Sequence, residues 1–244
     1  MIVTNTQSGT NIHEIASGIF RINTPIVMNG GPGGFSFNQY LLLDENPLIF
    51  HTGPRKLFPV VREAVARVVS LERIAYIAFS HVEADECGAL NDWLAVAPRS
   101  VPLCGAVAAM VSVNDLADRP ARPMNGGEKL SLGEHTVSWI DTPHLPHGWE
   151  SGLLMDEHTQ TLFCGDLFTQ PGAQHPPLTE SDILEPSEAF RGAMDYFAHA
   201  PDTSAQLIGL ADLQPATLAC MHGSAWSGDG GALLRSLAQR LLPK

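Results

Sequence analysis

The stretch Ser80-His81-Val82-Glu83-Ala84-Asp85-Glu86-Cys87-Gly88 places metal-capable side chains at every second position, directly after the apolar, strand-like run Ile74–Phe79. One imidazole and two or three carboxylates in so short a loop read as half of a two-metal site. The donors are hard, and no thiolate stands in an obvious ligand position. Such an oxygen-rich set leans toward iron or manganese rather than toward zinc held by His and Cys.

A metal site needs more donors than one loop supplies, and the chain offers three more at comparable points. His147 lies in Asp141-Thr142-Pro143-His144-Leu145-Pro146-His147-Gly148-Trp149, after the alternating run Thr136–Ile140. Asp166 closes the apolar run Thr161–Gly165, and His222 follows Ala216–Met221 and precedes Gly223. Each sits where a short strand gives way to a Gly or Pro turn. Loops at the strand ends of one sheet edge converge in space, so residues distant in sequence can share a metal. His144 could replace His147, although the interval to Asp166 favours His147.

The order H-x-E-x-D, with 61 residues between it and His147, 18 between His147 and Asp166 and 55 between Asp166 and His222, resembles the metallo-β-lactamase superfamily in its flavodiiron version, the oxygen-binding di-iron domain. The resemblance extends over essentially the whole chain, including Phe35–Asp44, which is similar to the family's early strand pair. It implies an α/β fold, an αββα four-layer sandwich, with residues 1–244 as one domain. It implies one iron held by His81, Glu83 and His147, a second held by Asp85 and His222, and Asp166 bridging them, with zinc or manganese as possible substitutes. Zinc hydrolases of the superfamily carry His where this chain has Glu83.

The chain also departs from the pattern. Family members often have His directly after the Asp of the first motif; here the residue is Glu86, which is either a further carboxylate ligand or a solvated side chain suited to the start of the following helix. Many proteins of this fold have Asp after the second strand, where this chain has His51, so the hydrogen bonding behind the ligands should differ. Flavodiiron proteins carry a flavodoxin domain after the di-iron domain, whereas this sequence stops at Lys244, shortly past His222. Electrons are therefore expected from a separate flavoprotein or other donor.

Length and composition suit one large domain: 244 residues, 44% hydrophobic and 16% charged. A formal charge of −12 argues against nucleic acid and anionic membrane surfaces as partners. The polar start, Met1–Gly9, lacks the features of a signal peptide, and no apolar run approaches a membrane span, so a cytoplasmic location is expected. Cys87, Cys104, Cys164 and Cys220 show no paired-thiol spacing and read as small buried hydrophobes.

Strands are expected at Glu14–Asn23, Phe35–Asp44 and Leu48–His51, with a Gly/Pro turn at Asn29–Gly34. Further strands are expected near Glu128–Leu132, Thr136–Ile140, Ser151–Met155 and Thr161–Gly165. Apolar periodicity predicts helices over Arg55–Val69, Cys87–Ala95, Gly105–Leu116, Ser187–His199, Ser204–Leu210 and Gly230–Leu242. His13, His135, His158 and His199 read as surface residues, while His175 could reach the pocket. Trp149 and Trp226 could wall the cavity or anchor loops.

Chemistry follows from the ligand set that the resemblance implies. Two ferrous ions supply two electrons, enough to take O2 to the level of peroxide, and full reduction needs two more. The expected function is that of a non-haem di-iron oxidoreductase that binds and reduces O2 or nitric oxide, with a homodimer plausible by analogy. A hydrolase of an ester, thioester, lactone or phosphodiester, acting through a metal-bridging hydroxide, is the first alternative. A non-catalytic O2 or redox sensor is the second.

Overall fold

The computed structural model describes residues 1–27 and 33–241. Strand-forming runs assemble into two sheets. The first has eight strands in which spatial order equals chain order: β1 (Ile2–Asn5), β2 (Thr10–Ala16), β3 (Ile19–Val27), β4 (Gly34–Leu42), β5 (Leu48–Phe50), β6 (Tyr76–Ala78), β7 (Val101–Gly105) and β8 (Arg122–Met124). The second contains β9 (Lys129–Ser131), β10 (Thr136–Asp141), β11 (Gly152–Asp156), β12 (Thr161–Gly165), β13 (Leu178–Thr179), β14 (Thr217–Cys220) and β15 (Ala225–Ser227), in the order β13-β15-β14-β12-β11-β10-β9.

Period-two patterning explains why two sheets become four layers, because successive side chains leave a strand on opposite faces. Leu48 and Phe50 of β5 point into the core between the sheets, as do Leu154, Phe163 and Ala219 of β11, β12 and β14. Their neighbours Ile49, Leu153, Leu162 and Leu218 point outward. Outside the first sheet those residues meet the helices Phe58–Ala66 and Leu90–Val96 through Val61, Val65, Trp93 and Leu94. Outside the second they meet Leu184–Met194, Thr203–Asp212 and Gly230–Arg240 through Leu184, Leu207, Leu210, Leu234 and Leu237. The result is the expected αββα sandwich.

Several boundaries differ from those read in the sequence. The expected strand Glu14–Asn23 is the end of β2 and the start of β3, split by a turn at Gly18, whose φ is 70°. The polar N-terminus contributes edge strand β1. The helix expected at Cys87–Ala95 is two short helices, Ala84–Cys87 and Leu90–Val96. Gly105–Leu116 holds the end of β7 and then a helix with a π-type segment at Ala109–Val113. The helix expected at Ser187–His199 runs over Leu184–Met194 and stops where Asp195 takes a left-handed φ of 48°. Most of the Gly/Pro turn Asn29–Gly34 and the end of the last predicted helix, Leu242, lie outside the described residues. Among the described residues no helix is long and apolar enough to cross a membrane.

The inter-sheet core depends on a few large side chains. Phe163 is fully buried and meets Phe50 and Tyr40 of the opposite sheet at ring-centroid distances of 5.2 and 5.7 Å. Truncation there leaves a cavity that flat sheets cannot collapse into. Phe163→Ala should destabilise the metal-free protein by about 3–5 kcal/mol, measured by urea denaturation.

Candidate metal centre

Parallel pairing of β5 with β6 and of β12 with β14 brings the loops that follow these strands to one edge of the sandwich. His81 lies three residues beyond β6, Asp166 directly after β12 and His222 two residues beyond β14. His147 comes from the β10–β11 connection. Gly148, with φ 78°, lets that loop close on the motif loop: a Cβ there would lie 3.2 Å from the Cβ of His81. Gly165, with φ 54°, turns the chain into Asp166 beside Ser80.

The six residues singled out in the sequence come together in two adjoining groups. In the first, His81 Nε2 and His147 Nε2 lie 3.1 and 3.0 Å from the same oxygen of Glu83, and 3.7 and 3.4 Å from Asp166 Oδ2. In the second, His222 Nε2 lies 3.4 Å from Asp85 and 3.3 Å from Asp166 Oδ1. Asp166 thus turns one oxygen toward each group. Glu86 belongs to the second group and is wholly buried, so of the two readings open in the sequence the solvated one does not hold. His144 is exposed and takes no part.

The donor set fits two cations. Glu86 Oε1 and Oε2 and Asp166 Oδ1 are buried without a hydrogen-bond donor, an arrangement that is costly unless a positive ion fills it. Four carboxylates and three imidazoles, sorted into two groups whose ligand atoms lie within 4.8 Å of one another, match two sites that share a bridging carboxylate.

Electrostatics of the metal-free protein point the same way. Burial alone would raise the Asp166 carboxyl, but the His222 hydrogen bond and the surrounding imidazoles hold it well below the usual range. Hydrogen bonds from His147 and His81 lower Glu83 to about 2. Burial pushes His222 down, yet bonds to Asp166 and Asp85 win and raise it to about 9. Protons on His222 and His147, both raised by their carboxylate neighbours, therefore stand where ions would bind.

Behind the candidate ligands, a chain of neutral groups fixes His81. Its Nδ1 lies 2.9 Å from Ser80 Oγ, which lies 3.0 Å from His51 Nε2, and His51 Nδ1 faces Met221 Sδ at 3.0 Å. Burial pushes His51 down to about 3, so it stays neutral. One proton order fits this relay: His81 donates to Ser80, Ser80 to His51, and His51 to the thioether, which would leave the lone pair of His81 Nε2 for a metal in the loaded protein. His222 Nδ1 donates to the carbonyl of Ser36 at 2.9 Å. The His222 turn is gripped from the first sheet, where Asn38 Nδ2 donates to the carbonyls of Cys220 and Gly223, Arg21 to Gly223 and Tyr40 to Cys220.

A cavity of 170 Å³ opens onto both groups, lined by Phe35, Thr169, Phe190, Met194 and Tyr196 as well as by the candidate ligands. Sequence reasoning had not placed Tyr196, Phe190 or Met194 here, because the helix Leu184–Met194 is brought over the site only by packing on the second sheet. The ring of Phe35 stacks on His222 at 4.2 Å between centroids. His175 bonds Gly172 and does not line the cavity; neither does Trp149, which is exposed, nor Trp226, whose indole N–H donates to Ser181 and anchors a loop. His135, read as a surface residue, is buried against Asp156 at 3.1 Å. All four cysteines are free, with Cys164 and Cys220 only 3.7 Å apart at their sulfurs.

Four-layer αββα architecture with these donors at its strand ends defines a metallo-β-lactamase-fold protein of the flavodiiron type. The chain belongs to the family described as ODP family beta lactamase, whose profile matches residues 35–223. It is 26% identical over 206 residues to the rubredoxin-oxygen oxidoreductase of Megalodesulfovibrio gigas, covering 81% of this chain and 50% of that protein. It is 24% identical over 211 residues to the anaerobic nitric oxide reductase flavorubredoxin of Pectobacterium atrosepticum, covering 82% and 41%. The metal-soaked Flv1 flavodiiron core of Synechocystis sp. superposes with a TM-score of 0.78 at 21% identity, covering 95% of this chain and 60% of that one. The chain spans between a third and a half of the length of such curated relatives.

Metal uptake should be pH-dependent through His222. With its pKa raised from 6.5 to about 9, the pairing stabilises the metal-free fold fully below pH 6.5, and that contribution is lost as pH rises through 9. Metal binding needs the neutral ring, so apparent affinity should rise by up to about tenfold per pH unit toward pH 9. Calorimetric titrations in buffers of different ionisation enthalpy should register the released proton.

Proposed function

We propose that this chain is a cytoplasmic di-iron oxidoreductase that binds and reduces O2, with electrons delivered by a separate flavoprotein or other donor. The observation that carries this reading is Asp166, a buried carboxylate offering one oxygen to each of two imidazole–carboxylate groups, with Glu83 rather than a third imidazole completing the first. Under this reading His81, Glu83 and His147 would hold one iron and Asp85 and His222 the other, with Asp166 shared between them. Iron bound there in the ferrous state would supply two electrons per centre. The oxidoreductase names of the relatives support the reaction class, and the family profile supports the site type. Four free cysteines suit a reducing compartment.

The chain's own residues shape what can react. Phe35, Phe190 and Met194 give the cavity apolar walls beside the candidate ligands, with room for a small molecule. Tyr196 presents a hydroxyl on the same wall, donating to the backbone carbonyl of Asp166 at 3.3 Å, and burial raises it well above the usual range, so it keeps its proton. That bond ties the turn carrying Asp166 to the cavity wall with a neutral group. Glu83 is half exposed at the mouth and connects the centre to solvent for proton exchange.

Protein purified from iron-replete cells should contain two irons per chain. Reduced once anaerobically and mixed with O2, it should consume about one O2 per centre and stop, and resume only when a reduced flavin donor is supplied. A reversible O2 adduct that no donor turns over would favour a sensor. Inertness to O2 together with ester or lactone hydrolysis would favour a hydrolase. Glu83→His should lower iron retention and O2 uptake while raising zinc occupancy, as measured by metal analysis and an oxygen electrode.

A further inference from the structure

We propose that Glu86 is itself a metal ligand and makes the two halves of the centre chemically unlike, so that the Asp85–Glu86–His222 half selects a harder divalent ion than the His81–Glu83–His147 half. This inference rests on the dinuclear reading above and adds a seventh protein ligand to it.

Glu86 lies within the four-residue helix Ala84–Cys87, immediately after Asp85, on a loop that could easily have left its carboxylate in water. Its side chain is instead 0% exposed, and no donor reaches either oxygen among the described residues. Proteins bury a carboxylate beside a cation or beside N–H and O–H donors, because an uncompensated one is costly. No Lys or Arg pairs with it; the nearest ring nitrogen is His81 Nε2 at 3.8 Å, itself turned toward the same space. The oxygens face the point where Asp85 and His222 also converge. A cation there satisfies all three side chains at once.

The consequence is an unequal division of donors. The first half has two imidazoles and Glu83; the second has one imidazole and two carboxylates, with Asp166 shared. Imidazole suits zinc and iron, whereas carboxylate favours manganese and other hard ions, so the second half is the poorer site for zinc. Four carboxylates also equal the charge of two divalent ions, and a centre neutral in its divalent state gains net charge only on oxidation. Removing one carboxylate leaves excess positive charge already in the reduced state and makes oxidation harder.

The test uses chelator-treated full-length protein, titrated anaerobically with Fe(II), and separately with Mn(II) and Zn(II), by calorimetry and elemental analysis. Wild type should take two Fe(II) per chain. Glu86→Gln, which keeps shape but not charge, should retain one tight site and weaken the other at least tenfold, with a raised midpoint potential for any iron remaining in it. Glu86→His should restore the second site but shift it from Mn(II) toward Zn(II). Thermal melting separates ligation from a packing role. Metal-free Glu86→Gln should melt close to metal-free wild type, since a neutral amide of the same shape replaces a buried carboxyl, while its metal-induced rise in Tm should shrink. Two Fe(II) at wild-type affinity in Glu86→Gln would overturn the proposal, as would a metal-free Glu86→Gln melting well below wild type, which would mark a structural carboxylic acid. Wild type taking fewer than two Fe(II) would instead sink the dinuclear reading itself.

Discussion

Four carboxylates and three imidazoles, gathered at the strand ends of a largely apolar sandwich, cannot stay together on their own charges. Asp166 concentrates the problem: it is buried, faces imidazoles on both sides at 3.3 and 3.4 Å, and has one oxygen, Oδ1, without a conventional hydrogen-bond partner. In the metal-free protein, protons on His222 and His147, both raised by their carboxylate neighbours, supply part of the compensating charge. Glu86, pushed well above the usual range by burial and then by Asp166 and Asp85, is left to hold its own proton. Divalent ions bound there would supply the positive charge that these buried oxygens lack. The rest of the architecture exists to hold these loops where that exchange of protons for ions can occur.

Rigidity comes from the sheets and direction from hydrogen bonds. Parallel pairing fixes the heights at which β5, β6, β12 and β14 release their loops. Polar residues of β3 and β4 then cross the sheet interface to hold the backbone on both sides of His222. His81 is oriented by Ser80 and His51, a neutral relay ending on a thioether. Negative charge is thus kept among the groups that face the metals and away from the groups behind His81. That distribution should favour strong binding of hard ions while leaving the imidazoles as ordinary neutral donors.

Access is controlled by elements remote in sequence from the motif. Phe190, Met194 and Tyr196 belong to the helix Leu184–Met194 and the segment after it, whose inner face packs on the second sheet through Ile183, Leu184 and Phe197. These side chains place apolar surface beside the carboxylates and imidazoles of the two groups.

Much of this could be read in the sequence because ligand chemistry and strand-end position are local properties. The candidate donors His81, Glu83, Asp85, His147, Asp166 and His222, the αββα class and most strands follow from residue type, spacing and period-two patterning. What could not be read depends on which distant groups meet. Whether Glu86 faces water or the centre is decided by how its short helix packs beneath Thr52, whose N–H binds the Glu86 carbonyl at 2.7 Å. The relay through His51, the burial of His135 against Asp156, the short edge strands and the aromatic walls of the cavity likewise arise from contacts between segments tens of residues apart. Sequence determined which atoms can bind a metal. Tertiary structure decided which of them are deprived of water, and burial is what turns a carboxylate from a solvated charge into a ligand in waiting.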